Sequence, residues 1–164
     1  MPASPYRRGL CPHPSLSRQR QFPRSSTPPC PLSSTHHIGV AVRSLDEHIP
    51  LYRDLFGLDP GPVLEAPAYG VRGVFISTGN TNIELVEPTS PDSPIARFLE
   101  TRGEGLHHVC FEVEDINGKL AALKEQGIRL VDQEPRPGLA GGVVAFLHPS
   151  AGKGVLIELA EHPH

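Results

Sequence analysis

Between residues 37 and 42 the chain alternates strictly, with Ile38, Val40 and Val42 on one side and His37, Gly39 and Ala41 on the other. A period of two predicts a strand with one face for packing and one small, polar face. Ser44, with Glu47 three residues on, has the spacing of a helix cap, and Leu45, Ile49, Tyr52, Leu55 and Phe56 then recur at helical spacing until Gly57. Pro50 lies inside that run, where a missing backbone donor costs roughly 3 kcal/mol in a regular helix, so a kink or a later start near Pro50 is expected. Residues 59–70, rich in Pro and Gly, read as a loop, and 71–77 and 81–87 as strands joined through Thr78-Gly79-Asn80. Ser93 and Pro94 suit the cap and first residue of a short helix over 95–101. A second alternating strand has Val109, Phe111 and Val113 on its packing side and His108, Cys110 and Glu112 on the other. A helix from Ile116 follows, with Leu120 and Leu123 as core positions and Gly127 as its stop. Strands are expected at about 128–133, 143–147 and 154–160, with residues 135–142 as a flexible loop of the kind that often contacts ligands.

The two halves of this pattern are one unit written twice. His36-His37-Ile38-Gly39-Val40-Ala41-Val42 corresponds to His107-His108-Val109-Cys110-Phe111-Glu112-Val113, and Asn82-Ile83-Glu84-Leu85-Val86-Glu87 to Leu156-Ile157-Glu158-Leu159-Ala160-Glu161. His37 and His108 are 71 residues apart, Glu84 and Glu158 are 74, and a three-residue loop difference absorbs the mismatch. A unit of this length is a duplicated domain half rather than a solenoid repeat. Each half opens on a His and closes on a Glu.

Composition narrows what such a duplication can do. A chain of 164 residues with 38% hydrophobic residues suffices for one domain with a real core. The formal charge of −3, the absence of Trp and the lack of a basic stripe argue against a nucleic-acid partner. No apolar run approaches the roughly 18 residues of a membrane span. Cys11, Cys30 and Cys110 are odd in number and lack C-x-x-C spacing, which suggests neither a disulfide framework nor a zinc ribbon and fits a reducing compartment such as the cytoplasm. Residues 1–34 contain eight prolines, seven serines, five arginines and no acidic residue, and are expected to be a disordered tail. The same composition is that of a mitochondrial transit peptide, which would place the protein in the matrix, although prolines so dense oppose the amphipathic helix such peptides form. A plain tail or a start assigned too far upstream are the other readings.

Parity carries the chemistry. His37 and His108 lie on the non-packing side of their strands, and Glu84 and Glu158 are opposite in parity to Ile83 and Leu85, and to Ile157 and Leu159. If the halves curl together about a pseudo-twofold axis, the four converge. Two imidazoles and two carboxylates can hold a divalent metal with positions left open, without choosing among Co, Ni, Mn, Zn or Fe. His36 and His107, of opposite parity, are expected to be structural or to support the ligand residues from behind, and Glu87 and Glu161 to face water.

Residues 35–162 resemble the vicinal oxygen chelate superfamily and, within it, the methylmalonyl-CoA epimerase family. The resemblance rests on His36-His37-Ile38-Gly39-Val40-Ala41-Val42, Tyr52-Arg53-Asp54-Leu55-Phe56-Gly57, Gly79-Asn80-Thr81-Asn82-Ile83-Glu84-Leu85-Val86-Glu87-Pro88, Asp92-Ser93-Pro94-Ile95-Ala96, Gly105-Leu106-His107-His108, Phe146-Leu147-His148-Pro149 and Gly154-Val155-Leu156-Ile157-Glu158-Leu159. It implies an α+β fold of two βαβββ modules, at about 35–88 and 105–161, joined by a linker helix at about 93–102. The modules would form an open, curved, mixed eight-stranded sheet around a metal-binding cleft, in a homodimer. It also implies His37, Glu84, His108 and Glu158 as metal ligands, with cobalt as the usual cation and Mn2+, Ni2+ or Zn2+ as substitutes. Glu158 and Glu84 become the candidate catalytic carboxylates, interconverting (2R)- and (2S)-methylmalonyl-CoA by proton abstraction at C2 through an enolate. The position at which some members carry a second acid–base carboxylate is Gly73 here, which leaves Glu84, Glu112 or a metal-bound water for that role. Arg72, Arg136 and Lys153 are cations placed either to meet acyl-CoA phosphates or to stay solvated. The competing readings are a glyoxalase I-like lyase and a non-catalytic ligand-binding module of the same fold.

Overall fold

The computed structural model describes residues 32–163. The tail expected over 1–34 lies almost wholly outside them, but Ser34 already belongs to the first strand and the Ser33 N–H donates to the Glu112 carbonyl at 3.0 Å. In chain order the elements are β1 (Ser34–Ala41), α1 (Leu45–Pro50), β2 (Pro60–Ala66), β3 (Val71–Ser77), β4 (Asn82–Pro88), α2 (Pro94–Arg102), β5 (Gly105–Glu112), α3 (Ile116–Glu125), β6 (Arg136–Pro137), β7 (Val143–Gly152) and β8 (Val155–Glu161). They form one open, curled, mixed sheet in the order β2-β3-β4-β1-β5-β8-β7-β6. That order reads the same from either edge under exchange of the halves. β1 pairs parallel with β4, β5 pairs parallel with β8, and β1 and β5 meet antiparallel to make the seam.

The helices cover the outer side. α1 packs through Leu45 and Ile49 on Val42, Val74, Ile76 and Leu85. α3 packs through Ile116 and Leu120 on Val113, Ala145, Leu147 and Leu159. The linker α2 sits on the inner face instead, where Ile95 and Leu99 meet Ala41, Val71 and Val86 and close one end of the cleft. Its cap is as expected, with Ser93 Oγ accepting from the Ala96 N–H at 3.0 Å and Pro94 at the first position.

Glu87 and Glu161, expected to face water, turn out to be helix caps. Glu87 Oε2 accepts from the Leu45 N–H at 2.7 Å, and Glu161 Oε2 from the Ile116 N–H at 2.8 Å. Each sits three residues after its half's inward Glu, so the closing strand serves both faces of the sheet. An anionic oxygen at a helix N-terminus satisfies an orphan donor and complements the dipole.

Three local expectations change. The helix from Leu45 continues past Pro50 as a π-type turn over Leu51–Leu55, since Pro50 has no N–H to continue the α pattern. Residues 60–66, read as loop, form edge strand β2, a position that tolerates Pro60 and Pro62 because one side of the strand needs no partner. The strand expected at 128–133 is reduced to a single Leu130–Leu147 bridge, and the short β6 falls within the expected loop. There Asp132 Oδ2 accepts the Phe146 N–H at 2.9 Å, so a side chain occupies a ladder position.

Candidate metal centre

The structure brings His37, Glu84, His108 and Glu158 to one point beside the seam, each 4–6% exposed. His37 Nε2 and His108 Nε2 are 2.9 Å apart. Glu158 Oε2 lies 3.1 Å from the first nitrogen and 2.9 Å from the second. Glu84 Oε2 lies 3.5 and 3.4 Å from the same atoms. A cation with bonds of about 2.1 Å separates adjacent ligands by about 3.0 Å at right angles and about 3.4 Å at the tetrahedral angle, so each carboxylate's separations from the two imidazoles suit a divalent ion, and His37, Glu84 and His108 offer ligand atoms all within 4.8 Å of one another. Chemistry agrees with distance. Two nitrogen and two carboxylate donors packed this tightly in a buried place need either protons or a cation between them.

Local sequence explains how the rings fit. Gly39 is paired across the seam with His108, whose ring lies over it; a methyl group at position 39 would overlap the ring. Phe75 stands edge-on to His37 at 5.3 Å, and Phe146 edge-on to His108 at 5.5 Å. These phenylalanines pair in register with Glu84 and Glu158 respectively. Sequence reasoning missed them, although the internal repeat held the signal, since each is an inward position on the strand beside its half's Glu.

His36 and His107 depart from the parity expected of them. Each is the extra residue of a β-bulge in the β1–β5 pair, one between Thr35 and His37 and the other between Leu106 and His108. A bulge re-aims the extra side chain. Both rings consequently line the cleft, with His36 Nδ1 2.8 Å from His37 Nδ1 and His107 Nδ1 2.9 Å from His108 Nδ1.

Burial and mutual charge set the titration of this cluster. Burial, with His108 beside it, pushes His107 down to about 4, and burial with His37 lowers His36. Burial opposes charge on His108, but the hydrogen bond and charge of Glu158 outweigh it and leave that imidazole raised. Burial likewise opposes the Glu158 carboxylate, yet hydrogen bonds from His108 and His37 bring it down to about 2. Burial raises Glu84, and burial followed by the Glu158 charge raises the Cys110 thiol.

The remaining candidates separate cleanly. Glu112 accepts from the Ser34 hydroxyl at 3.1 Å and does not line the cleft. Gly73 faces inward between Val71 and Phe75, but the space above it is taken, since an added Cβ would lie 2.7 Å from Leu139 Cδ2. Leu139 comes from the loop before β7, which folds over the site. Arg72 pairs with Glu87 at 3.0 Å, and Lys153 is exposed in the turn between β7 and β8. Arg136 alone of the three lines the cleft. Its Nε donates to Asp132 at 3.2 Å and its guanidinium lies 4.4 Å from the Tyr69 ring centre and 5.2 Å from that of Phe146.

Known proteins resemble the chain in sequence and fold. A family model described as the glyoxalase/bleomycin resistance protein/dioxygenase superfamily matches residues 36–146. The mitochondrial methylmalonyl-CoA epimerase of Bos taurus is 42% identical over 131 residues, covering 79% of this chain and 75% of its own. The ethylmalonyl-CoA/methylmalonyl-CoA epimerase of Cereibacter sphaeroides is 41% identical over 128 residues, covering 77% of this chain and 96% of its own. A solved structure of a variant of Streptomyces coelicolor methylmalonyl-CoA epimerase in complex with 2-nitronate-propionyl-CoA superposes with a TM-score of 0.77 at 31% identity, over 82% of this chain and all of that one. On sequence and fold together, the chain belongs to the methylmalonyl-CoA epimerase family of the glyoxalase/bleomycin resistance protein/dioxygenase superfamily.

Proposed function

We propose that the cleft interconverts (2R)- and (2S)-methylmalonyl-CoA by moving the proton at C2, with His37, His108, Glu158 and Glu84 holding a divalent cation. The observation that carries this reading is that one imidazole and one carboxylate from each half meet, buried, at the floor of a largely apolar cleft. A cation held there would supply Lewis-acid stabilisation of the enolate oxygen, and cobalt is the ion the family resemblance implies, with Mn2+, Ni2+ or Zn2+ suiting the same donors.

Inversion at carbon needs a base on one face and an acid on the other. Glu84 on β4 and Glu158 on β8 flank the seam strands β1 and β5 from opposite sides. A substrate lying along the seam presents one face of C2 to each. The two carboxylates take the C2 proton or return one, Glu158 while also hydrogen-bonded to the Cys110 side chain, and they exchange roles between the forward and reverse directions. Phe75, Phe146 and Leu139 exclude water around the reacting carbon, which strengthens these interactions. Arg136, pinned by Asp132 and stacked on Tyr69, is positioned to receive an anionic group of the acyl-CoA, and Arg136→Met should raise KM at least tenfold with a smaller effect on kcat.

The test is solvent exchange. In D2O the cobalt-loaded protein should incorporate deuterium at C2 of methylmalonyl-CoA and invert that centre, and chelator should stop both. Absence of exchange by the loaded protein, with turnover of a glutathione hemithioacetal in its place, would favour the lyase alternative and end the epimerase assignment. The same family resemblance leads us to infer a homodimer, which light scattering on the purified chain checks.

A further inference from the structure

Two β-bulges at matched places in the two halves deserve a common explanation. β1 and β5 form the seam, where a regular ladder would send His36 and His107 to the outer, helix-packed side. Each bulge turns its extra residue inward, and each brings the Nδ1 of that residue to hydrogen-bond distance of the Nδ1 of the next histidine, at 2.8 Å in one half and 2.9 Å in the other. The first bulge is itself held, because the His36 carbonyl accepts from the Asn82 side-chain amide at 3.0 Å and the Thr81 hydroxyl at 3.3 Å. The re-aimed rings are also packed, His36 stacking on His162 at 4.4 Å and His107 standing edge-on to Phe98 at 4.8 Å.

We infer that His36 and His107 are positioning residues, each fixing the tautomer and ring angle of the histidine that follows it so that Nε2 presents a lone pair to the centre. Only one proton fits between two Nδ1 atoms at this distance. When His37 Nε2 and His108 Nε2 are ligands, that proton belongs to the ligand's own Nδ1, and the neighbouring histidine accepts it in its Nε2–H form. An acceptor behind the ligand removes the competing tautomer, whose Nε2–H would point at the cation, and raises the ligand's basicity. The same device occurs twice, from two equivalent backbone irregularities at the same place in the repeat.

The inference rests on the metal reading, and the experiment keeps the two apart. Mn2+ or Co2+ is titrated calorimetrically into the metal-stripped protein, into His36→Phe and His107→Phe, and into His36→Asn and His107→Asn, whose side-chain oxygen can stand where Nδ1 stood. The Phe variants should bind 10- to 100-fold more weakly, the Asn variants should recover most of the loss, and the Co2+ visible spectrum of the Phe variants should shift. Melting temperatures of the metal-free variants identify any that fail to fold, and the Asn pair then still decides the matter. Unsubstituted affinity in the Phe variants, or Asn variants no better than Phe, overturns the positioning role and leaves the metal centre standing. Failure of the unsubstituted protein to bind either ion overturns both.

Discussion

His108 shows how several demands meet on one side chain. Its ring needs Gly39 beneath it, Phe146 at its edge and His107 behind it, and its Nε2 reaches both carboxylates. His108→Ala should therefore abolish stoichiometric metal binding while circular dichroism remains native, because the ring fills cleft volume rather than helix-packed core. Unchanged metal content would show that another group holds the ion. Gly39→Ala, a far smaller change, should weaken binding almost as much by tilting that ring. The titration of the cluster adds a pH prediction. His108 is raised above its ordinary 6.5, so its pairing with Glu158 stabilises the metal-free protein below pH 6.5 and is lost as pH rises through the folded value. Glu158, lowered to about 2 from 4.5, contributes above pH 4.5 and is lost as pH falls toward 2. Chelated protein should thus melt highest between these limits and decline toward alkaline pH. Metal-loaded protein should gain over the same alkaline range, since the cation replaces protons. Parallel melting curves with and without chelator would contradict this.

At the scale of elements, simple periodicity carried most of the fold and failed at identifiable places. Strict alternation located β1 and β5, turn signals and the internal repeat located β4 and β8, and with these strands came the four convergent side chains. Alternation misplaced His36 and His107, since a bulge adds one residue without any local mark in the chain. Dense prolines hid β2, whose edge position makes a missing donor harmless, and the Asp132 side chain displaced what would have been a regular strand before β6. Glu87 and Glu161 were legible as a repeated pair but not as caps, because their partners Leu45 and Ile116 are over 40 residues away in sequence. That cap makes a prediction of its own. Glu161→Ala removes the acceptor for the first turn of α3 and should cost about 1–2 kcal/mol by denaturant titration. Asp115 still caps the Gly118 N–H, so the helix itself should persist. Metal affinity should not change. The Gly73–Leu139 contact behaves as a unit at this scale as well. Gly73→Ala should push the 138–142 loop off the cleft and lower activity, while adding Leu139→Ala should restore part of it. Additive losses in the double variant would show that the two positions are independent.

For the molecule as a whole, the duplication was the most legible feature and the cleft's lining the least. The halves were visible as matched His and Glu positions and the 135–142 loop as one that contacts ligands, whereas the place of Phe75 beside the site depends on a strand registration that only the folded sheet reveals. Among the described residues no helix is long and apolar enough to cross a membrane. Cation binding at 100 times Kd should add about 2.7 kcal/mol to unfolding free energy, which a thermal shift with and without chelator would register. The antiparallel junction of β1 and β5 gives that figure a location. Either half supplies a single imidazole and a single carboxylate, too few to grip an ion, so an ion held by all four would act as a rivet driven through the line where the two halves meet. Amide hydrogens of β1 and β5 should exchange more slowly once it is in place, while those at the far margins of the sheet keep their pace.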